Sequence, residues 1–153
     1  MDQQVLWRPS AERIDAARLS AFIKAVNARW HAGCSDYASL WRWSVAEPEA
    51  FWTSVWDECG ALGERGEVVL EDGDRMPGAR WFPQARLNYA QNLLRHGADE
   101  AASDALVFWG EDQVKRRLSH HELRAQVSRF AQARQAAGIG RGDRVAAYLP
   151  NMP

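Results

Sequence analysis

Four groupings of residues carry side chains capable of chemistry, and each chemistry demands a particular spacing. His120-His121 is an adjacent pair of the kind that binds a metal or moves a proton. Adjacent residues point in different directions on a helix, and no acidic or cysteine partner is spaced to complete a zinc set. The pair reads as solvent-exposed histidines at a helix start, and the isolated His96 reads likewise as exposed. His31 and Cys34 stand three positions apart, like a base and its nucleophile. No third group orients them and no strained loop frames them, so they lack what activates a nucleophile.

Gly138-Ile139-Gly140-Arg141-Gly142-Asp143 invites a dinucleotide reading. That fingerprint runs strand, GxGxxG, helix. Here a helical pattern comes first, a strand pattern follows, and the third glycine is misplaced. The run reads as a helix-to-strand connection, with Gly138 in the left-handed cap position. No GxxxxGK(S/T) phosphate loop occurs in the chain. Lys115 with Arg116, Arg117, Arg124, Arg129, Arg134, Arg141 and Arg144 make the last third locally basic, offset in part by Glu111, Asp112, Glu122 and Asp143. A nucleic-acid groove pairs such charge with exposed aromatics. The aromatics here fall at core spacing, so the charge reads as a solvated helix face. No residue is assigned a catalytic, cofactor-binding or metal-binding role.

The elements that position these groups follow from periodicity. Ser10, after Pro9, is placed to cap a helix running to Trp30, with Leu19, Phe22, Ile23, Val26 and Trp30 on one face. Asp36 to Trp43 forms a short helical turn. A second helix starts near Glu47-Pro48, with proline in its first turn, and ends at Gly60. Phe51, Trp52, Val55 and Trp56 line one side of it. From Gly60 to Gly78 five glycines and the acidic Glu64, Glu67, Glu71, Asp72 and Asp74 mark an exposed connection, with Val68-Val69-Leu70 as a short strand. Then comes "WFPQARLNYAQNLL", residues 81–94, which opens on two aromatics and a proline and closes at helical spacing through Leu87, Ala90 and Leu94.

Ala105 to Trp109 reads as a buried strand. Val114, Arg116 and Leu118 alternate with Lys115 and Arg117 as its hairpin partner. Ser119 and Glu122 form a capping box for a helix whose buried stripe is Leu123, Val127, Phe130 and Ala131. Val145 to Leu149 reads as a further buried strand, with the helix as a crossover. Two parallel strands leave edges and faces unsatisfied. An incomplete α/β domain is therefore expected, with a small closed α+β protein as the alternative.

The totals bound the rest. The chain has 153 residues, 46% apolar, and a formal net charge of -1, which gives no bulk electrostatic case for nucleic acid or an anionic membrane. No apolar run of about 18 residues spans a membrane. The start "MDQQVLWRP" is unlike a secretion signal, and Cys34 and Cys59 form no CxxC unit, so a cytoplasmic, reducing setting is expected. Eight tryptophans are many for this length, and five fall between Trp30 and Trp56. They could cage a ligand with their ring faces. The favoured reading is that they anchor helices onto a surface supplied by another domain or subunit.

Three stretches resemble one family. "DYASLWRWSVAEPEAFWTSVWD", residues 36–57, is similar to the N-terminal segment of the acetyl-CoA synthetase group. "ARWFPQARLNYAQNLL" resembles the lead into the adenylate-forming domain, and "LSHHELRAQVSRFAQARQAAGIGRGDRVAAYLPNMP" its first helix and strand. "VLWRPSAERIDAARLSAF" and the "RWFP" form point within that group to the acetoacetate–CoA ligases. The resemblance implies an AMP-forming acid–thiol ligase that uses ATP, magnesium and CoA. It implies a helical, aromatic-rich segment over 1–60, a linker and docking strap over 61–104, and the start of an α/β adenylate-forming domain over 105–153. On this reading the segment wraps the remainder of the adenylate-forming domain, and Trp81 and Phe82 fill pockets on it. The phosphate loop, ribose-binding aspartate motif, hinge and lysine-bearing C-terminal domain of that family have no counterpart in these residues. The expected result is a piece inactive by itself, carrying no cofactor. Self-association through the aromatic patch or a sheet edge is also expected, with no nucleic-acid or membrane partner. The alternatives are an acetyl-CoA or other short-chain acyl-CoA synthetase, or a non-enzymatic truncated interaction module.

Three departures stand out from the family pattern: Gln84 where glycine is frequent, Gln91 where glutamate is, and Arg134 where the helix calls for leucine. An arginine there can snorkel its charge outward over a packed stem.

Overall fold

The computed structural model describes residues 7–95, 102–111 and 113–150. His96 and Asp112 lie outside the described residues. The chain divides into two units, residues 1–88 and 89–153.

In the first unit Ser10 stays extended and its Oγ accepts from the Arg13 amide, opening α1 (Ala11–Asp15). The single helix expected from Ser10 to Trp30 is in fact two. Ala17 is extended (ψ 141°), and α2 runs from Arg18 to Trp30. The Ile14 carbonyl accepts from the Ala17 amide at 3.1 Å and from the Ser20 hydroxyl at 2.5 Å. A serine hydroxyl offering a partner outside the helical ladder is the local competition that lets the chain break there. Lys24 reaches back to Asp15 at 2.8 Å across the joint.

His31 ends α2 in the left-handed region (φ 53°). Asn27 brackets the turn that follows: its Nδ2 donates to the Cys34 carbonyl at 2.7 Å and its Oδ1 accepts from the Cys34 amide at 2.8 Å. Asp36 caps α3 (Tyr37–Ala46), accepting from the Ser39 amide, and Pro48 opens α4 (Pro48–Glu58). Val26, Cys34 and Leu40 are buried together, with Phe22, Ile23, Ala32 and Trp43 packed around them. Helix α4 is tied to α2 by polar links as well. The Trp30 indole N–H donates to Ser54 Oγ at 2.7 Å. Asp57 receives Arg29 at 2.5 Å and Arg65 at 3.1 Å.

Residues 60–88 are a connection with two short strands, β1 (Leu70–Glu71) and β2 (Arg80–Trp81), paired antiparallel with Leu70 opposite Trp81. The strand expected at Val68 to Leu70 thus starts two residues later and ends one later. An isolated bridge joins Glu64 to Arg86, and Arg80 pairs with Glu71.

In the second unit α5 covers Tyr89–Leu93, and β3 (Asp104–Gly110) and β4 (Val114–Ser119) form the expected hairpin, Leu106 opposite Leu118 and Trp109 opposite Lys115. Helix α6 (His120–Ala136) starts at the Ser119–Glu122 capping box. Four expectations fail here. Residues 143–150 are not a strand, and Val145, Tyr148 and Leu149 lie exposed. The β3–β4 sheet has two strands, both antiparallel, so no parallel crossover forms among the described residues. The run Ala105 to Trp109 is a strand but not a buried one. Leu106 and Leu118 share one face of the hairpin, and Leu118 is buried. Val107 and Trp109 point to the other face and are exposed. The helix stripe is also open, with Val127 and Phe130 exposed. The architecture is mixed α/β.

Candidate docking surface

His121 is exposed at the first turn of α6 and His120 is half-buried. Among the described residues no three histidine, cysteine or acidic side chains converge on a metal position. His31 is exposed at a helix cap, while Cys34 is buried with Sγ 3.8 Å from the Ala32 carbonyl. Burial first, and the Asp36 carboxylate second, push the Cys34 thiol up from its ordinary value. That is the opposite of what a thiolate nucleophile needs. The glycine run closes α6, with Gly138 at φ 77° and Asp143 Oδ2 accepting from the Gly140 amide at 2.7 Å.

What the first unit does assemble is an aromatic surface on α4. Phe51 meets Phe22 edge-on at 5.9 Å, Trp43 at 6.2 Å and Trp52 at 5.3 Å between centroids. Trp81 then packs on Trp52 at 5.7 Å, and Phe82 on Trp56 at 5.2 Å. These are the separations at which rings attract. The pair expected to seek its pockets outside the chain thus finds partners within it. Spacing alone could not show this, because α4 and residues 81–82 are brought together by the fold of the connection. Trp52 and Trp81 are still 43% and 41% exposed, so one side of the stack stays open.

The backbone at this contact is held firmly. Phe82 has φ 45°, a region an aromatic residue seldom adopts. Its amide donates to the Val69 carbonyl at 2.8 Å, and its carbonyl accepts from the Ala85 amide at 2.8 Å. Gln84 completes the arrangement, its Oε1 accepting from the Glu67 amide at 2.9 Å and the Val68 amide at 3.3 Å. Gln84 stands where the family pattern frequently has glycine. In the structure it serves backbone donors, and the Gly66 opposite it leaves no room for a Cβ, which would sit 2.6 Å from Gln84.

Further apolar faces are open among the described residues. Tyr37, Trp41 and Val45 recur every fourth position along α3, and all three are exposed. In the second unit Val107, Trp109, Phe130, Tyr148 and Leu149 are exposed. Single exposed apolar residues are ordinary, but a helix stripe and a sheet face mark surfaces that bind something.

Known proteins resemble this chain. Residues 37–93 match the family described as the acetyl-coenzyme A synthetase N-terminus. An acetoacetyl-coenzyme A synthetase of Rhizobium meliloti is 50% identical over 151 residues, covering 99% of this chain and 23% of that protein. A malonamoyl-CoA synthetase of Penicillium aethiopicum is 34% identical, covering 97% of this chain and 21% of its own length. The solved structure of an acetoacetyl-CoA synthetase from Streptomyces lividans superposes with a TM-score of 0.84 at 38% identity, covering 99% of this chain and 24% of that one. The chain therefore spans under a quarter of the length of the relatives it matches.

Proposed function

We propose, from the match of residues 37–93 to the acetyl-coenzyme A synthetase N-terminus, that the chain is the N-terminal portion of an ATP-dependent, AMP-forming ligase that joins acetoacetate to CoA. In that chemistry the acid's carboxylate attacks the α-phosphorus of ATP and releases pyrophosphate. The CoA thiol then attacks the acyl-adenylate carbonyl, giving the thioester and releasing AMP. The likeness to the Rhizobium meliloti protein through nearly the whole chain carries this reading.

ATP, magnesium and CoA do not fit the residues present. No phosphate loop occurs in the sequence, and no metal-ligating cluster forms among the described residues. This chain's part is packing. Its segments, a helical stretch over 1–60, a strap over 61–104 and an opening α/β piece over 105–153, lay their open faces against the remainder of the adenylate-forming domain in the cytoplasm. The open stripe of α3 and the β3–β4 face supply that contact.

A second reading of the substrate rests on the malonamoyl-CoA synthetase. Malonamate and acetoacetate are near-isosteres, each with a carbonyl β to the carboxylate and differing in an amino for a methyl group. A chimaera tests both readings: this chain replaces the matching N-terminal segment of the Rhizobium meliloti protein. We expect AMP formation that depends on acetoacetate, and none from the 153 residues alone. A chimaera that folds yet forms no AMP with acetoacetate, malonamate or acetate overturns the proposal, as does exchange of pyrophosphate into ATP by the isolated chain.

A further inference from the structure

We draw no further inference here: the strongest candidate, the open stripe of α6 around Val127, Phe130 and Arg134, carries nothing, because Arg134 Nε is already buried and nothing in the structure shows what covers the stripe.

Discussion

Asp36 and Glu122 do the same work at two helix starts. Each carboxylate sits in a capping box and is held below its ordinary value, Asp36 chiefly by the Ser39 hydroxyl and then its amide, Glu122 by the Ser119 amide and then its hydroxyl. A depressed carboxylate adds stability that is present above its unfolded pKa and is lost as pH falls through the folded one. The window therefore opens near 3.8 for Asp36 and 4.5 for Glu122 and extends below those values. Asp36→Asn with Glu122→Gln keeps side-chain acceptors at both boxes and removes the titration. Melting followed from neutral to acid pH should fall less steeply in the double variant. An unchanged slope would show that neither cap is linked to folding. Residues of this kind were partly legible in the sequence. Ser119 and Glu122 announce their box by spacing, whereas the Asp36 cap depends on Ser39, a type common in any turn. Arg134 was legible as a charged residue in an apolar stripe, and its buried Nε has no hydrogen-bond partner in the structure.

Helices were easier to read than strands, and the reason is how local each signal is. Proline at the start of α4 and the i, i+4 stripes are written within one turn, so α3, α4 and α6 appear close to where the pattern puts them. The break at Ala17 escaped because it rests on a serine hydroxyl six residues from the carbonyl it serves. Strand character at 145–149 was inferred from apolar content alone, and a strand exists only with a ladder partner. The aromatic contact between α4 and residues 81–82 lies at the same limit. Its existence depends on a turn that brings together positions about thirty apart in sequence. Trp56 and Phe82 are both half-buried, and their contact can be measured directly. A double-mutant cycle, Trp56→Ala with Phe82→Ala in urea unfolding, should give a coupling of about 1 kcal/mol. Additive losses would mean that the strap and α4 are stabilised independently.

At the scale of the whole chain the two units are covered unequally. Residues 1–88 bury Val26, Cys34 and Leu40 and add the ring contacts on α4. In residues 89–153 Leu118 is the one buried apolar side chain among those described, while Trp109, Phe130, Tyr148 and Leu149 stand open. Local opening costs least where few apolar contacts must be broken. Amides in the middle of α2 and α4 should thus exchange at least about tenfold more slowly than those in the middle of α6. The same measurement bears on the proposed role. If the open faces belong against the rest of an adenylate-forming domain, joining this chain to the remainder of the Rhizobium meliloti protein should slow exchange in α6 toward the level of α2, and burial of Phe130 and Trp109 should be the cause. Phe130→Ser in the joined protein should then return α6 to fast exchange, while in the isolated chain, where Phe130 is already 61% exposed, it should change little. Equal protection of α2 and α6 in the isolated chain would show that the second unit needs no cover. Fast exchange of α6 in an active joined protein would place the docking contact on other residues.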